Sequence, residues 1–569
     1  MTSVRSPYPD VHIPDNVSFF EYVTGNFKNF GNKPAMTDGI TGASYTFHQL
    51  DDAIKRVASA LVKRGLKKGE VVAIISPNCI EWPVLFFAVI SVGGIITTCN
   101  HGYKETELSS QLSNAGAVYL VAAKSSVRTV SKMRYKVRER FIIGDADGYT
   151  SYSELIRDDG SRFPSFVKIN SKTDICVLPY SSGTTGVSKG VMISHYNLVA
   201  NLEQTRPVRI RNRKNNCSLA VLPFYHIYGM VVIMSSCLRY GNHCVTLPGF
   251  EPKSFLRTIE KYKDSLLSTV VASMENIHIC SARKSYVRNI SVRDVSPSKV
   301  ARLSLVPPLA LFLLKSPLVD KYDLSSLEDA GSGAAPLGDE VMQQFLRKMK
   351  VKRFVQGYGM TEASPTITLV SPDENHNLGS VGRPVPNTQC KFIDPDSGKV
   401  LPPNVPGEIL VKGPQVMLGY LNRPKATAET IDKDGWLHTG DVGYYDENGI
   451  CYIVDRIKEL IKYKGYQVAP AELESLLKSH PDISDAAIIG IPDERAGEIP
   501  RAYIILKDSG NGKITTEKIQ EYVTSKVAPH KRLRGGIAIV TEIPKSASGK
   551  ILRRLIRDQY KKSIAKSKL

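Results

Sequence analysis

Residues 180–190 read Tyr-Ser-Ser-Gly-Thr-Thr-Gly-Val-Ser-Lys-Gly, a run of hydroxyls and glycines ending on one ammonium. Gly183, Gly186 and Gly190 let the backbone turn tightly and bring N–H groups close to an anion. Ser181, Ser182, Thr184 and Thr185 add hydroxyl donors, and Lys189 adds a point charge. That is the composition of a phosphate cradle. The plainer reading is a Ser/Gly turn joining two strands of a hairpin. The run is not the familiar GxxxxGK[ST] nucleotide loop, because Gly190 rather than Ser or Thr follows Lys189 and no helix signal begins there. A different ATP-binding apparatus is implied.

Two short apolar runs, 175–178 and 191–193, predict strands on either side of the cradle, and Ser194 is a good N-cap for a helix over 196–204. Upstream, apolar spacing predicts a helix over 48–64, and 71–75 is an unbroken apolar strand of the kind buried on both faces of a parallel sheet. The apolar stretch 82–99 approaches membrane-spanning length. Gly93-Gly94 divides it, however, and a buried helix followed by a strand is expected rather than a membrane span. Strand, helix and strand alternate on to 120–122, which predicts an α/β fold. Residues 124–140 read as a basic, solvated helix. Near the other end, a helix over 471–479, strands over 485–490 and 501–506 and a helix over 516–525 predict a small α+β unit.

A chain of 569 residues is too long for one core, so two or more domains are expected. The net charge is +20, and residues 526–569 hold 13 Lys/Arg against Glu542 and Asp558, a net +11. A basic tail can mean nucleic acid, but no aromatic platform or groove-reading motif accompanies this one, and attraction of small anionic molecules is at least as good a reading. The nine cysteines are scattered without Cys-x-x-Cys or metal spacing, the pattern of a reducing compartment. The first residues carry no apolar signal core.

Ser181-Ser182-Gly183-Thr184-Thr185-Gly186, followed by Lys189-Gly190, resembles the core motif of the adenylate-forming superfamily of acyl-CoA synthetases, 4-coumarate:CoA ligases and beetle luciferases. Further stretches match in order, from about residue 17 to the end. The resemblance implies a large N-terminal α/β domain with a distorted barrel over 1–457 and a small, mobile C-terminal domain over 458–569. It assigns the adenine wall to Gly333, Ala334 and Ala335, and nucleotide contacts to Gln356, Gly357 and Tyr358, the tyrosine stacking on adenine. Thr361 would meet the α-phosphate, Glu362 would hold Mg²⁺, and Asp441 would accept both ribose hydroxyls with help from Arg456. Lys458 would be the hinge and Lys550 the catalytic lysine of a C-terminal loop, with His226 gating the acyl pocket. Lys462, Lys464, Gly465 and Gln467 would serve a later thioester step. ATP, Mg²⁺ and coenzyme A are the implied cofactors and co-substrates. A luciferase-like monooxygenase acting through the same adenylate is the alternative.

Tyr225, Tyr228, Met360, Ala363 and Pro365 are expected to line an acyl pocket that offers no fixed charge to a second polar group. Gly249 stands where relatives often carry a Lys or Arg that meets a coenzyme A phosphate. Residues 264–302 interrupt a segment that relatives run straight through, and an intron translated by an erroneous gene model explains the interruption better than a surface insertion. The final Ser567-Lys568-Leu569 is the tripeptide read by the peroxisomal import receptor.

Overall fold

A computed structural model describes residues 3–181, 188–208, 216–262, 299–371, 378–464, 466–507, 514–546 and 549–567. The strand Val71–Ile75 is buried at every position, with Ile95–Cys99 and Ala117–Ala123 parallel on either side. Burial on both faces explains its unbroken apolar composition. The long apolar stretch divides into the helix Glu81–Ser91 and the strand Ile95–Cys99, with Gly93 turning between them at φ 78°. Among the described residues no helix is long and apolar enough to cross a membrane. This sheet extends through Ile175–Val177 to the antiparallel pair Lys189–Ser194 and Tyr180–Ser181. Ser194 caps the helix His195–Thr205 reciprocally with Asn197.

A second sheet has a parallel middle made of Arg353–Gly359, Asp329–Ser332, Lys299–Leu305, Asn216–Ala220 and His243–Thr246. Helices from both sheets share one core, in which Trp82 stacks on Phe86 at 5.4 Å and meets Phe224 at 5.7 Å. That contact fixes the start of the segment carrying Tyr225 and His226. A third, antiparallel sheet from Val4–Arg5 to Cys451–Arg456 curls into a half-barrel, the counterpart of the expected barrel. The chain then passes through 457–460 into a smaller sheet, which begins with Ile461–Tyr463 and is centred on Ile483–Asp493 and Gly497–Leu506. The helices Pro470–Ser479 and Thr516–Lys526 bury Leu473, Leu477, Ile519 and Val523 in a core of its own. The α+β character expected of this unit is present.

Two expectations need correction. The basic stretch 124–140 is not one helix. Its helix Val127–Lys132 is short, and the chain reaches the strand Glu139–Ile143 by Arg138, which pairs with Glu70 at 2.7 Å. Phe141 and Ile142 are buried, and their place in the sheet overrides the helical charge pattern upstream. Of the supposed insertion 264–302, residues 264–298 lie outside the described residues, but 299–302 do not. They begin the strand Lys299–Leu305, in which Val300 opposes Cys217, and Arg302 opposes Ser218 on one side and Asp329 on the other.

Candidate active site

Ser181 and Lys189 stand opposite one another across the antiparallel pair, so the two ends of the cradle meet as the hairpin reading expects. Ser182, Gly183, Thr184, Thr185 and Gly186 lie outside the described residues. The Ser181 hydroxyl donates to Glu362 Oε1 at 2.9 Å, and the Tyr420 hydroxyl donates to the same oxygen at 2.9 Å. Glu362 is only 5% exposed. Two hydroxyl donors on one oxygen allow a carboxylate to stay buried, and Lys189 Nζ lies 4.6 Å from the Tyr420 ring centre. Burial, and then the Glu362 carboxylate, push the Tyr420 phenol well up. Tyr420 reaches this place because Gly419–Tyr420 pairs with Lys189–Ser194. The sequence reading missed it, since a Gly-Tyr pair in a loop-like stretch carries no signal of its distant partner.

Thr361 opens the 3-10 turn Thr361–Ala363 and lines the main cavity with Glu362. Tyr358 projects from Arg353–Gly359, and its hydroxyl donates to Asp441 Oδ2 at 2.7 Å. Arg456 is directly opposite Asp441 in the curled sheet, its Nε 3.2 Å from Oδ1. Both Asp441 oxygens therefore have protein partners. Gly333, Ala334, Gln356 and Gly357 lie close by. Ala334, with Ala335, also walls a smaller cavity of about 150 Å³ against Tyr358, Asp441 and Arg456.

Lys550 joins these groups from the C-terminal unit. Burial, and then the nearby Arg456 guanidinium, push its ammonium down to about 8, while Asp441 and Glu459 act in the opposite sense. Burial, and then Lys550, push the His226 imidazole down to about 4. Lys550 thus lies within electrostatic reach of both His226 and the Asp441–Arg456 pair. Its loop is tightly built: Ser546 Oγ accepts from Lys550 N at 3.1 Å, and Ser546 N donates to Lys550 O at 2.8 Å. Gly549 has φ 79°, and a Cβ there would come within 2.8 Å of Pro308 in the large domain, so only glycine lets the loop seat this closely.

The buried pair Arg553–Glu474, at 2.8 and 2.9 Å to the two carboxylate oxygens, ties the segment after the loop to the helix Pro470–Ser479. Arg553 Nε also donates to Ile488 O at 3.1 Å. In the sequence Glu474 reads as an exposed helix charge, and only the fold shows it to be an anchor.

His226, Tyr225, Tyr228, Met360 and Pro365 line the main cavity, a cleft of about 1870 Å³, and so does Lys458. Ala363 does not. It is fully buried in the hydrophobic core, because the 3-10 turn points it away from the cleft that Glu362 faces. Arg302 and Ser304, alternate residues of one strand, also line this cleft. Arg302 escaped the sequence reading because it was counted within the insertion. Lys462, Lys464 and Gln467 lie on the exposed hairpin Ile461–Tyr463/Tyr466–Val468 and do not line the cleft. Gly465 lies outside the described residues. A Cβ on Gly249 would meet nothing within 4 Å, as befits an open surface. Among the described residues no group of three or more His, Cys, Asp or Glu gathers as a metal site.

The model of the AMP-binding enzyme family matches residues 23–421, and that of the AMP-binding enzyme C-terminal domain matches 472–550. The chain is 38% identical to "Probable 4-coumarate--CoA ligase 1" of Dictyostelium discoideum, over 98% of each chain. It is 37% identical to "4-coumarate--CoA ligase 1" of Solanum tuberosum, over 97% of this chain and 96% of that one. Among solved structures it is similar to the anthranilate CoA ligase AuaEII in complex with anthranoyl-AMP, with TM-score 0.84, 26% identity, and coverage of 97% and 99%. It is also similar to ATP-bound MatB from Rhodopseudomonas palustris, with TM-score 0.80, 27% identity, and coverage of 96% and 99%.

Proposed function

Because the chain belongs to the AMP-binding enzyme family, we propose that it is an ATP-dependent, AMP-forming ligase that activates an apolar or aromatic carboxylic acid and transfers it to coenzyme A. The observation that carries this reading is the position of Lys550, a half-buried ammonium brought by a separate domain to the junction of His226, Asp441 and Arg456.

In the first step one carboxylate oxygen bonds to the α-phosphorus of ATP. The bond from that phosphorus to the bridging oxygen breaks, and pyrophosphate leaves with the electron pair. Two anions must approach, so positive charge has to stand where negative charge develops. Lys550 and Lys189 supply it, and His226, neutral at ordinary pH, orients the acid without adding charge. Tyr358, Asp441 and Arg456 hold the nucleoside. Mg²⁺ brought with ATP would be held at Glu362, a hard oxygen donor already braced by two hydroxyls, and would neutralise phosphate charge. In the second step the coenzyme A sulfur bonds to the acyl carbon, its proton passes to solvent, and AMP leaves as the acyl C–O bond breaks. The adenylate is already a good leaving group, so no Ser-His-Asp set is needed. Lys462, Lys464 and Gln467 would reach this step by rotation of the C-terminal domain about Lys458, a hinge transition. The relatives named above favour coenzyme A over luciferase-like oxygenation as the fate of the adenylate.

Tyr225, Tyr228, Met360 and Pro365 suit an aromatic or aliphatic body. A panel of hydroxyaryl acids, medium- and long-chain fatty acids, acetate and amino acids, read as AMP release with ATP and coenzyme A, tests this. Aryl or longer aliphatic acids are expected to turn over best, and acetate or an amino acid as the best substrate would overturn the pocket reading.

The tripeptide Ser567-Lys568-Leu569 supports a peroxisomal address. The helix Arg553–Ser567 runs up to it, with exposed residues at 561–564. A fluorescent protein fused before Met1 is expected in puncta that turn diffuse when Leu569 is removed. Diffuse signal with the tripeptide intact would refute the address.

A further inference from the structure

Lys315 is the last residue of the helix Pro307–Lys315, in the large domain directly after Pro307-Pro308. Its ammonium crosses to the C-terminal unit and donates to Lys478 O and to Ile483 O, each at 2.6 Å. Lys478 stands in the last turn of the helix Pro470–Ser479, where carbonyls lack partners within the helix and the helix dipole favours a cation. Ile483 begins the next strand, and Asp485 on that strand pairs with Lys545 of the lysine loop. One ammonium thus seats the corner from which the Lys550 loop rises, while Gly549 rests against Pro308 at the other end of the same helix. Lys315 is largely desolvated. Burial, and then Lys507 and Lys478 against the pull of Asp485, push it down to about 8, so its two short hydrogen bonds offset a real cost of leaving water.

We propose that Lys315 is a positioning residue for adenylate formation, a latch that holds the C-terminal domain in the orientation that inserts Lys550. The inference rests on the two-step reading above. The exposed Lys462–Gln467 hairpin can face the cleft only if the domain turns, and turning it separates Lys315 from Lys478 O and Ile483 O. The latch therefore favours the first half-reaction and must release for the second.

Lys315→Met is expected to lower ATP–pyrophosphate exchange, with an acid the enzyme accepts, by about tenfold, the worth of a charge-assisted contact. Thioester formation from supplied acyl-adenylate is expected to hold or rise. Lys315→Arg, whose guanidinium can serve two carbonyls, is expected to restore exchange. Equal loss of both half-reactions would assign Lys315 a merely structural role and overturn the proposal, as would unchanged exchange. A second readout needs no turnover: energy transfer between dyes on an exposed site in 1–456 and on the 462–467 hairpin, in ATP-saturated protein. Lys315→Met is expected to shift the interdomain distance, and an unshifted distance overturns the latch. Should native protein show no exchange with any acid, the functional reading fails, while the distance measurement still judges the latch.

Discussion

Lys550→Ala is expected to lower acyl-adenylate formation at least about a hundredfold, since one lost charge-assisted contact to a transition state is worth ~3 kcal/mol or more. Thioester formation from supplied acyl-adenylate is expected to survive, because that half-reaction does not use the ammonium. The variant should fold. The loop is held by Ser546 and Gly549, by Lys545 on Asp485 and by Arg553 on Glu474, none of which involves the Lys550 side chain. Removing a partly desolvated ammonium also removes its desolvation cost. ATP–pyrophosphate exchange in the variant is the measurement, and exchange at the native rate would take the catalytic role from Lys550.

The second large effect concerns the interruption of the large domain. Deleting 264–302 is expected to abolish folding, because it removes four residues of a strand paired on both sides in the middle of a sheet. The fully buried Val300 would alone cost about 1.5–3 kcal/mol, before any ladder hydrogen bond is counted, against a total stability of about 5–15 kcal/mol. Deleting 264–298 is expected to leave a folded, active enzyme. Val300 N already donates to Tyr262 O at 3.0 Å, so the joined sequence Tyr262-Lys263-Lys299-Val300 closes as a four-residue β-turn on an existing bond. Thermal melting of the two deletions distinguishes them. A cooperative, native-like melt for the longer deletion would show that the strand is dispensable. An intact mass of the native protein that includes 264–298 would set aside the gene-model explanation.

Lys189 stands out in the sequence by residue type and spacing, and Tyr358, Glu362, Asp441, Arg456 and Lys550 by motifs that resemble the family's. They lie far apart along the chain, and the fold brings them together around one cleft and the small cavity beside it. The missed residues have no such local mark. Tyr420 matters only through pairing with a strand from another part of the chain. Glu474 and Arg553 look like surface charges until the fold buries them together. Lys315 looks like an ordinary helix end until a second domain supplies its acceptors. Arg302 was hidden by a boundary placed four residues too late, and Ala363 was misplaced because neighbouring residues of a 3-10 turn point in different directions. Domain character was readable from the change of pattern near 457. The orientation of the two units was not, since it depends on contacts between surfaces that no periodicity records.

The most direct test follows the oxygen. With an accepted acid labelled with ¹⁸O in its carboxylate, together with ATP and coenzyme A, the AMP released should carry one labelled oxygen and the pyrophosphate none, because a carboxylate oxygen is transferred to the α-phosphorus. Label in inorganic phosphate, or AMP free of label while acyl-CoA accumulates, would contradict an acyl-adenylate as the intermediate this site is built to form.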